Sequence, residues 1–158
     1  MRPFHSQRAL TRPIQIAPFR RRHLPRILRI ERASFGADAW PRSYFLELFL
    51  ECRDFFVIAK VGGRIAGYAV ACAAKRNAEI SSIAVHPDYR RRGVAAALLR
   101  HTLRALSKAG VRRVELMVRT ANAAAAELYR AFGFRRVRLA SGYYEDGGDA
   151  YLMVRAIE

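Results

Sequence analysis

The stretch Ile83-Ala84-Val85-His86-Pro87-Asp88-Tyr89-Arg90-Arg91-Arg92-Gly93-Val94-Ala95 decides how this chain is read. An apolar strand ends at His86-Pro87-Asp88, a basic loop follows, and a helix opens on small residues. The first N–H groups of a helix have no intrahelical acceptor, and the helix dipole adds partial positive charge, so the joint favours an anion. Gly93 has no Cβ, and Ala95 has the smallest one, so a pyrophosphate can approach the backbone closely. The arginines at 90, 91 and 92 can pair with further phosphate oxygens. Neither GxxxxGK[ST] nor a GxGxxG after a strand is present.

Working outward, Glu79 to Val85 reads as the strand that leads into this loop, and Gly93 to Ala109 as the helix that leaves it, stopped by Gly110. Upstream, Phe55 to Lys60 and Ile65 to Ala74 read as strands joined by a hairpin turn at Val61-Gly62-Gly63-Arg64. Leu24, Ile27, Leu28, Ile30 and Phe35 mark an amphipathic helix, with Pro25 near its start where proline is tolerated. Gly36 to Trp40 breaks that helix, and Pro41 opens a second whose apolar stripe is Phe45, Leu46, Phe49 and Leu50. Ile14 to Ala17 is a short first strand. Downstream, Val111 to Val118 reads as a strand and Asn122 to Phe132 as a helix ended by Gly133. Phe134 to Leu139 and Tyr151 to Val154 form a closing pair of strands. Antiparallel strands followed by strand–helix–strand–helix predict an α+β fold, a mixed sheet holding one parallel pair and about four helices.

The 158 residues suit one domain over residues 14–158, preceded by a basic, poorly ordered arm over residues 1–13. At 52% apolar residues the chain buries a core and is not a disordered segment. Its formal charge is +16, from 29 Lys+Arg against 13 Asp+Glu, and the only lysines are Lys60, Lys75 and Lys108. Such basicity fits a polyanionic partner — nucleic acid, a ribosome or a phosphate-rich cofactor — and equally a solvated surface set by composition. Cys52 and Cys72 show neither CxxC nor metal-ligand spacing, which points to a reducing cytoplasm. The start lacks an apolar signal core, and the longest nearly apolar run, Ile65 to Ala74, is too short to span a membrane.

Arg90-x-x-Gly93-x-Ala95 resembles the [Q/R]-x-x-G-x-[G/A] signature of the GNAT N-acetyltransferases. That resemblance implies acetyl-coenzyme A as cofactor, its pyrophosphate at Arg91, Arg92, Gly93, Val94, Ala95 and Ala96. It also implies that the strand Ile83-Ala84-Val85 pairs with the pantetheine arm and splays away from the strand at Val111 to Val118. The segment Val118-Arg119-Thr120-Ala121-Asn122-Ala123-Ala124-Ala125, then Leu128-Tyr129 and Gly133-Phe134, is similar to the V-R-x-x-N-x-x-A…L-Y-x-x-x-G-F block of the same family. There the Asn122 position caps a helix and contacts the cofactor, and the Tyr129 hydroxyl protonates the departing thiolate. Tyr143-Tyr144-Glu145-Asp146-Gly147-Gly148-Asp149-Ala150-Tyr151-Leu152-Met153 resembles the Y-Y-x-D-G-x-D-A-x-x-M segment of protein N-terminal acetyltransferases, the RimI-type ribosomal-protein alanine acetyltransferases included. The resemblance makes Tyr143 and Tyr144, with Trp40, the grip on the substrate's N-terminal residues, and Asp-Gly-Gly a tight turn between strands.

One position departs from that pattern. RimI-type enzymes carry a glutamate as general base where this chain has Met117, which cannot accept a proton. Glu115 lies two residues earlier on the same strand face, roughly 6.5–7 Å away between Cα atoms, a gap that one water bridges. Asp38, in Gly36-Ala37-Asp38-Ala39-Trp40, is the second candidate, because related N-terminal acetyltransferases place an acid in this loop.

The reading is an N-acetyltransferase working in a ternary complex without a metal. Its acceptor is the N-terminal α-amine of a protein, and a ribosome is a further fitting partner. A small-molecule or lysine side-chain acceptor is the alternative within the class. A nucleic-acid- or ribosome-binding module on the same scaffold, without turnover, is the alternative outside it. The oligomeric state is not encoded in any motif of the sequence.

Overall fold

The computed structural model describes residues 12–158. The expected arm over residues 1–13 therefore lies almost wholly outside the described residues. Seven strands form one sheet: β1 Ile14–Pro18, β2 Phe56–Val61, β3 Arg64–Ala74, β4 Asn77–Val85, β5 Arg113–Arg119, β6 Arg135–Ala140 and β7 Ala150–Ala156, ordered β1-β2-β3-β4-β5-β7-β6. Among the described residues there are four α-helices: α1 Leu24–Phe35, α2 Arg42–Glu51, α3 Val94–Lys108 and α4 Ala123–Ala131. The expected elements and their order are all present. Gly62 and Gly63 both take positive φ, at 58° and 78°, the combination a two-residue hairpin turn needs between β2 and β3.

Both faces of the sheet are covered. On one, α1 and α2 pack Leu24, Ile27, Ile30, Phe45, Leu48 and Phe49 over Phe56, Ile58, Tyr68 and Val70. On the other, α3 sets Leu99, Leu103 and Leu106 over Val114, Leu116 and Val118. This explains why β3 reads as a continuous apolar run rather than an alternation, since its centre is buried on both sides.

Every strand pairing is antiparallel except β4 with β5. That parallel pairing is short, running only over Asn77↔Arg113, Ala78↔Val114 and Glu79↔Glu115. Beyond Glu79 the two strands part. The register of β4 against β3 also shifts after Val70, so that Ser81 has no register partner while Ser82 faces Val70 and Ile80 faces Ala71. The long partner of β5 is β7, which is inserted between β5 and β6.

Cys52, at the end of α2, and Cys72, on β3, form a disulfide across Cα atoms 5.0 Å apart. Their spacing of 20 residues matched no pairing motif, because α2 returning onto the sheet is what brings them together. With the two cysteines bonded, the lack of CxxC or metal-ligand spacing no longer points to a reducing compartment. Among the described residues no helix is long and apolar enough to cross a membrane.

Candidate active site

The parting of β4 from β5 opens a slot. From Ile80 to Val85 the β4 edge that faces β5 has no strand partner among the described residues, and neither has the facing edge of β5 from Leu116 to Arg119. Ile83, Ala84 and Val85 lie on this open edge, and Arg90 Nε donates to the Val85 carbonyl at 3.3 Å. At the head of the slot α3 begins. Gly93 is its N-terminal flank with φ at 79°, and no side chain caps it among the described residues. The amides of Val94, Ala95 and Ala96 find no acceptor among the described residues. Arg91, also at positive φ (61°), and Arg90 and Arg92 stand exposed around them. Unsatisfied amides, a helix dipole and three cations meet with no carboxylate paired to any of those arginines among the described residues, an arrangement that fits a diphosphate. Gly93 was expected for the space it leaves. The structure adds a second reason, the left-handed backbone that a side chain at this position would strain.

Tyr129, on α4, packs against the same core cluster as Ile83, the cluster that holds Leu116 and Val118. Asn122 caps that helix, its Oδ1 accepting from the Ala125 amide at 3.1 Å. Tyr129 packs edge-on against Phe134, with ring centroids 5.9 Å apart. Burial pushes its phenol up to about 12, and the Tyr144 phenol nearby adds to the rise. It is therefore a protonated donor at any physiological pH.

Two further segments meet Arg119 at the end of β5 and form two lips there. One is the short turn Gly36–Asp38 with Trp40 and the start of α2. Trp40 meets Tyr44 at 4.7 Å and Phe45 at 5.7 Å between ring centroids, and with Pro41, Ser43, Tyr44 and Glu47 it lines an open cleft of about 430 Å³. The second lip is the loop over residues 141–149. There the expected tight turn exists, but inside a longer loop: Gly147 N–H donates to the Tyr144 carbonyl at 2.9 Å, and Asp146 accepts from the Gly148 amide. Tyr143 is exposed, Tyr144 is half-buried, and their rings meet edge-on at 5.0 Å.

The two candidate bases are both engaged. Glu115 shares a face of β5 with Met117 and Arg119, opposite the buried Val114, Leu116 and Val118, and its carboxylate accepts from Arg113 at 2.7 Å. Asp38 accepts from Arg119, and no other side chain bonds it among the described residues. A third carboxylate, Glu79, escaped the sequence reading. It stands beside Glu115 where β4 and β5 part, with no cationic partner among the described residues. Packing around it, and next the negative Glu115, hold its carboxyl above the usual range. Its signal in the sequence was an acid in the strand just before the phosphate loop.

Glu31 and Tyr68 were missed as well. Glu31 is buried on α1; it accepts from the Trp40 amide at 3.0 Å and from the Tyr68 hydroxyl, which in turn lies 3.0 Å from Ser82 Oγ. Burial raises its carboxyl, against the opposing pull of those two donors. This chain of bonds fixes the first lip to β3 and β4. An acid four residues after Ile27, on the apolar face of α1, was the visible clue.

Comparison with known proteins agrees with this geometry. The profile of the Acetyltransferase (GNAT) family matches residues 24–134. The N-alpha-acetyltransferase RimI of Mycobacterium tuberculosis is 38% identical over 151 residues, covering 92% of this chain and 94% of that protein. Among solved structures, Ard1 from Thermoplasma volcanium superposes with a TM-score of 0.88 at 28% identity, covering 92% of this chain and 98% of its own. The ribosomal-protein-S18-alanine N-acetyltransferase from Escherichia coli gives a TM-score of 0.83 at 30% identity, with coverage of 92% and 95%.

Proposed function

The chain belongs to the GNAT acetyltransferase family and is an acetyl-CoA-dependent N-acetyltransferase, and from that premise we propose that its acceptor is the N-terminal α-amine of a protein or peptide. The observation that carries this reading is the pair of aromatic lips, Trp40 with Tyr44 and Tyr143 with Tyr144, whose segments both meet Arg119 at the end of β5. Flat rings with hydroxyl edges suit an extended peptide end better than a compact polar amine. The relatives named for N-alpha-acetylation support the same acceptor.

In this reading acetyl-CoA supplies the activated acetyl group. The amides of Val94 to Ala96, with Arg90, Arg91 and Arg92, hold its diphosphate, and the open edge at Ile83, Ala84 and Val85 aligns the pantetheine arm, with Asn122 beside it. Backbone N–H groups near Val85 stabilise the negative charge that develops on the carbonyl oxygen as the neutral amine attacks. Tyr129 donates its proton to the departing sulfur. The amine's proton leaves through water to the carboxylate of Glu79, where β4 and β5 part, with the Arg113-held Glu115 beside it.

Without a glutamate at Met117, substrate chemistry decides what is feasible. An α-amine has a pKa of about 7.7–8.0 and a lysine side chain about 10.4. At pH 7.5 about a third of α-amines are already neutral, against roughly one lysine in a thousand. Peptides with a free N-terminus should therefore be acetylated in preference to the same peptides blocked at the N-terminus and carrying an internal lysine. The rate should climb with pH through the α-amine pKa and then level, because only the deprotonated amine attacks. Competition between the two peptide forms across pH 6–9 checks both expectations, and preference for the internal lysine would overturn the acceptor.

A specific observation supports an RNA or ribosomal partner. Arg22, Arg29 and Arg32 are exposed at helical spacing along α1 and its lead-in turn, and no carboxylate pairs with them among the described residues. Binding to ribosomes through this face should weaken steeply as salt rises, roughly in proportion to the phosphates contacted. Sedimentation with ribosomes at two ionic strengths measures it, and no association near physiological salt would remove this partner while leaving the acetyltransferase reading intact.

A further inference from the structure

Asp38 lies on one lip and Asp146 and Tyr144 on the other, far apart in sequence, yet all three converge on a single side chain of β5. Arg119, the last residue of that strand, donates through Nη2 to Asp38 and through Nη1 to Asp146 at 3.2 Å, and its guanidinium lies 3.9 Å from the centre of the Tyr144 ring. Next to it, the Thr120 amide donates to the Asp149 carbonyl at 3.0 Å, so the backbone adds a further tie to the second lip. We propose that Arg119 is a positioning residue that clamps the two lips of the acceptor groove to the end of β5 and so sets the aperture through which the peptide end enters. Asp38 is then the anchor of this clamp rather than a proton acceptor.

The chemistry requires arginine. A planar guanidinium offers two donor edges and a flat face at once, so it can bridge two carboxylates and stack on a phenol; a lysine ammonium is a single point. Each contact alone would count for little. The side chains of Arg119 and Asp38 are 29% and 31% exposed and that of Asp146 63%, and isolated pairs at such exposure are screened. A network sharing one already ordered side chain is the exception to that weakness. The electrostatics agree: the Asp38 bond first, then Asp146, hold the guanidinium in its charged form, and the Gly148 amide followed by Arg119 lowers the Asp146 carboxyl. The role in catalysis rests on the acceptor groove proposed above; the clamp itself does not.

Two readouts on Arg119→Ala, in the full chain, separate these. Hydrogen exchange should quicken about tenfold or more at the amides of residues 36–40 and 141–149 together, with the sheet core unchanged. Peptide KM should rise about tenfold or more, with kcat within about threefold and the affinity for coenzyme A unchanged, the pattern of lost uniform binding. Arg119→Lys should fall between the variant and wild type on both readouts, since it keeps one ion pair and loses the bridge. Exchange that stays unchanged in either lip overturns the clamp. Freed lips with an unchanged peptide KM overturn its role in the aperture, as does a loss confined to kcat. If the wild-type chain acetylates no free N-terminus, the acceptor reading fails, and the exchange measurement still decides the clamp.

Discussion

Replacing Gly93 by valine will weaken coenzyme A binding by more than tenfold in a chain that still folds. Two effects add. Gly93 sits at φ 79°, where a β-branched residue pays on the order of 1–3 kcal/mol in backbone strain. Relaxing that strain turns the amides at the start of α3 away from their common focus. A Cβ at this position meets nothing within 4 Å, so the side chain projects into open space, which the phosphate-loop assignment gives to the diphosphate. The same openness is why folding should survive. A tenfold loss corresponds to about 1.4 kcal/mol, a small demand on two effects of this size. Calorimetric titration with coenzyme A, alongside a thermal melt, tests it; unchanged affinity in the folded variant would remove the phosphate-loop assignment of residues 91–96.

The second large effect belongs to Tyr129. Tyr129→Phe keeps the ring and its edge contact with Phe134 while deleting the proton donor. General acid catalysis typically contributes about 10²–10⁴-fold, and turnover should fall by that amount with little change in cofactor affinity. The phenol raised to about 12 sharpens the expectation: its ionised form is scarce at any working pH, so the variant's loss should not depend on pH between 6 and 9. Steady-state kinetics at three pH values measure this. Wild-type turnover in the variant would return Tyr129 to a packing role beside Phe134 and Tyr144.

Met117 marks the boundary of what motif reading can achieve. The sequence exposed the missing carboxylate, because a strand next to a recognisable Val118-Arg119 pair has a countable register. It offered Glu115 and Asp38 as substitutes by proximity along the chain. Neither is free: Arg113 holds one and Arg119 the other. Glu79 enters the site because β4 and β5 run parallel and put it directly beside Glu115, a neighbourhood created by residues more than thirty positions apart. Parallel pairing is a non-local choice, and nothing in the local composition of Asn77–Val85 announces which strand will lie beside it.

By itself the sequence determined the elements and the phosphate-binding joint. Apolar periodicity, Pro41 and Asn122 at helix starts, and glycines at turns act within a few residues, so they are legible without a fold. The Gly93 joint is likewise local, since free amides and a helix dipole exist wherever a strand runs into a helix in this way. Tertiary structure alone decided how the strands are ordered, that Cys52 meets Cys72, that Glu31 is buried under Trp40 and Tyr68, and that Arg119 gathers Asp38, Asp146 and Tyr144. Each of these joins side chains from different elements, and their meeting depends on how the helices fold back onto the sheet and where β4 leaves β5. A charged or sulfur-bearing residue carries no mark in sequence of the partner it will find, because the energy that pairs them exists only once burial and packing have brought them within bonding distance.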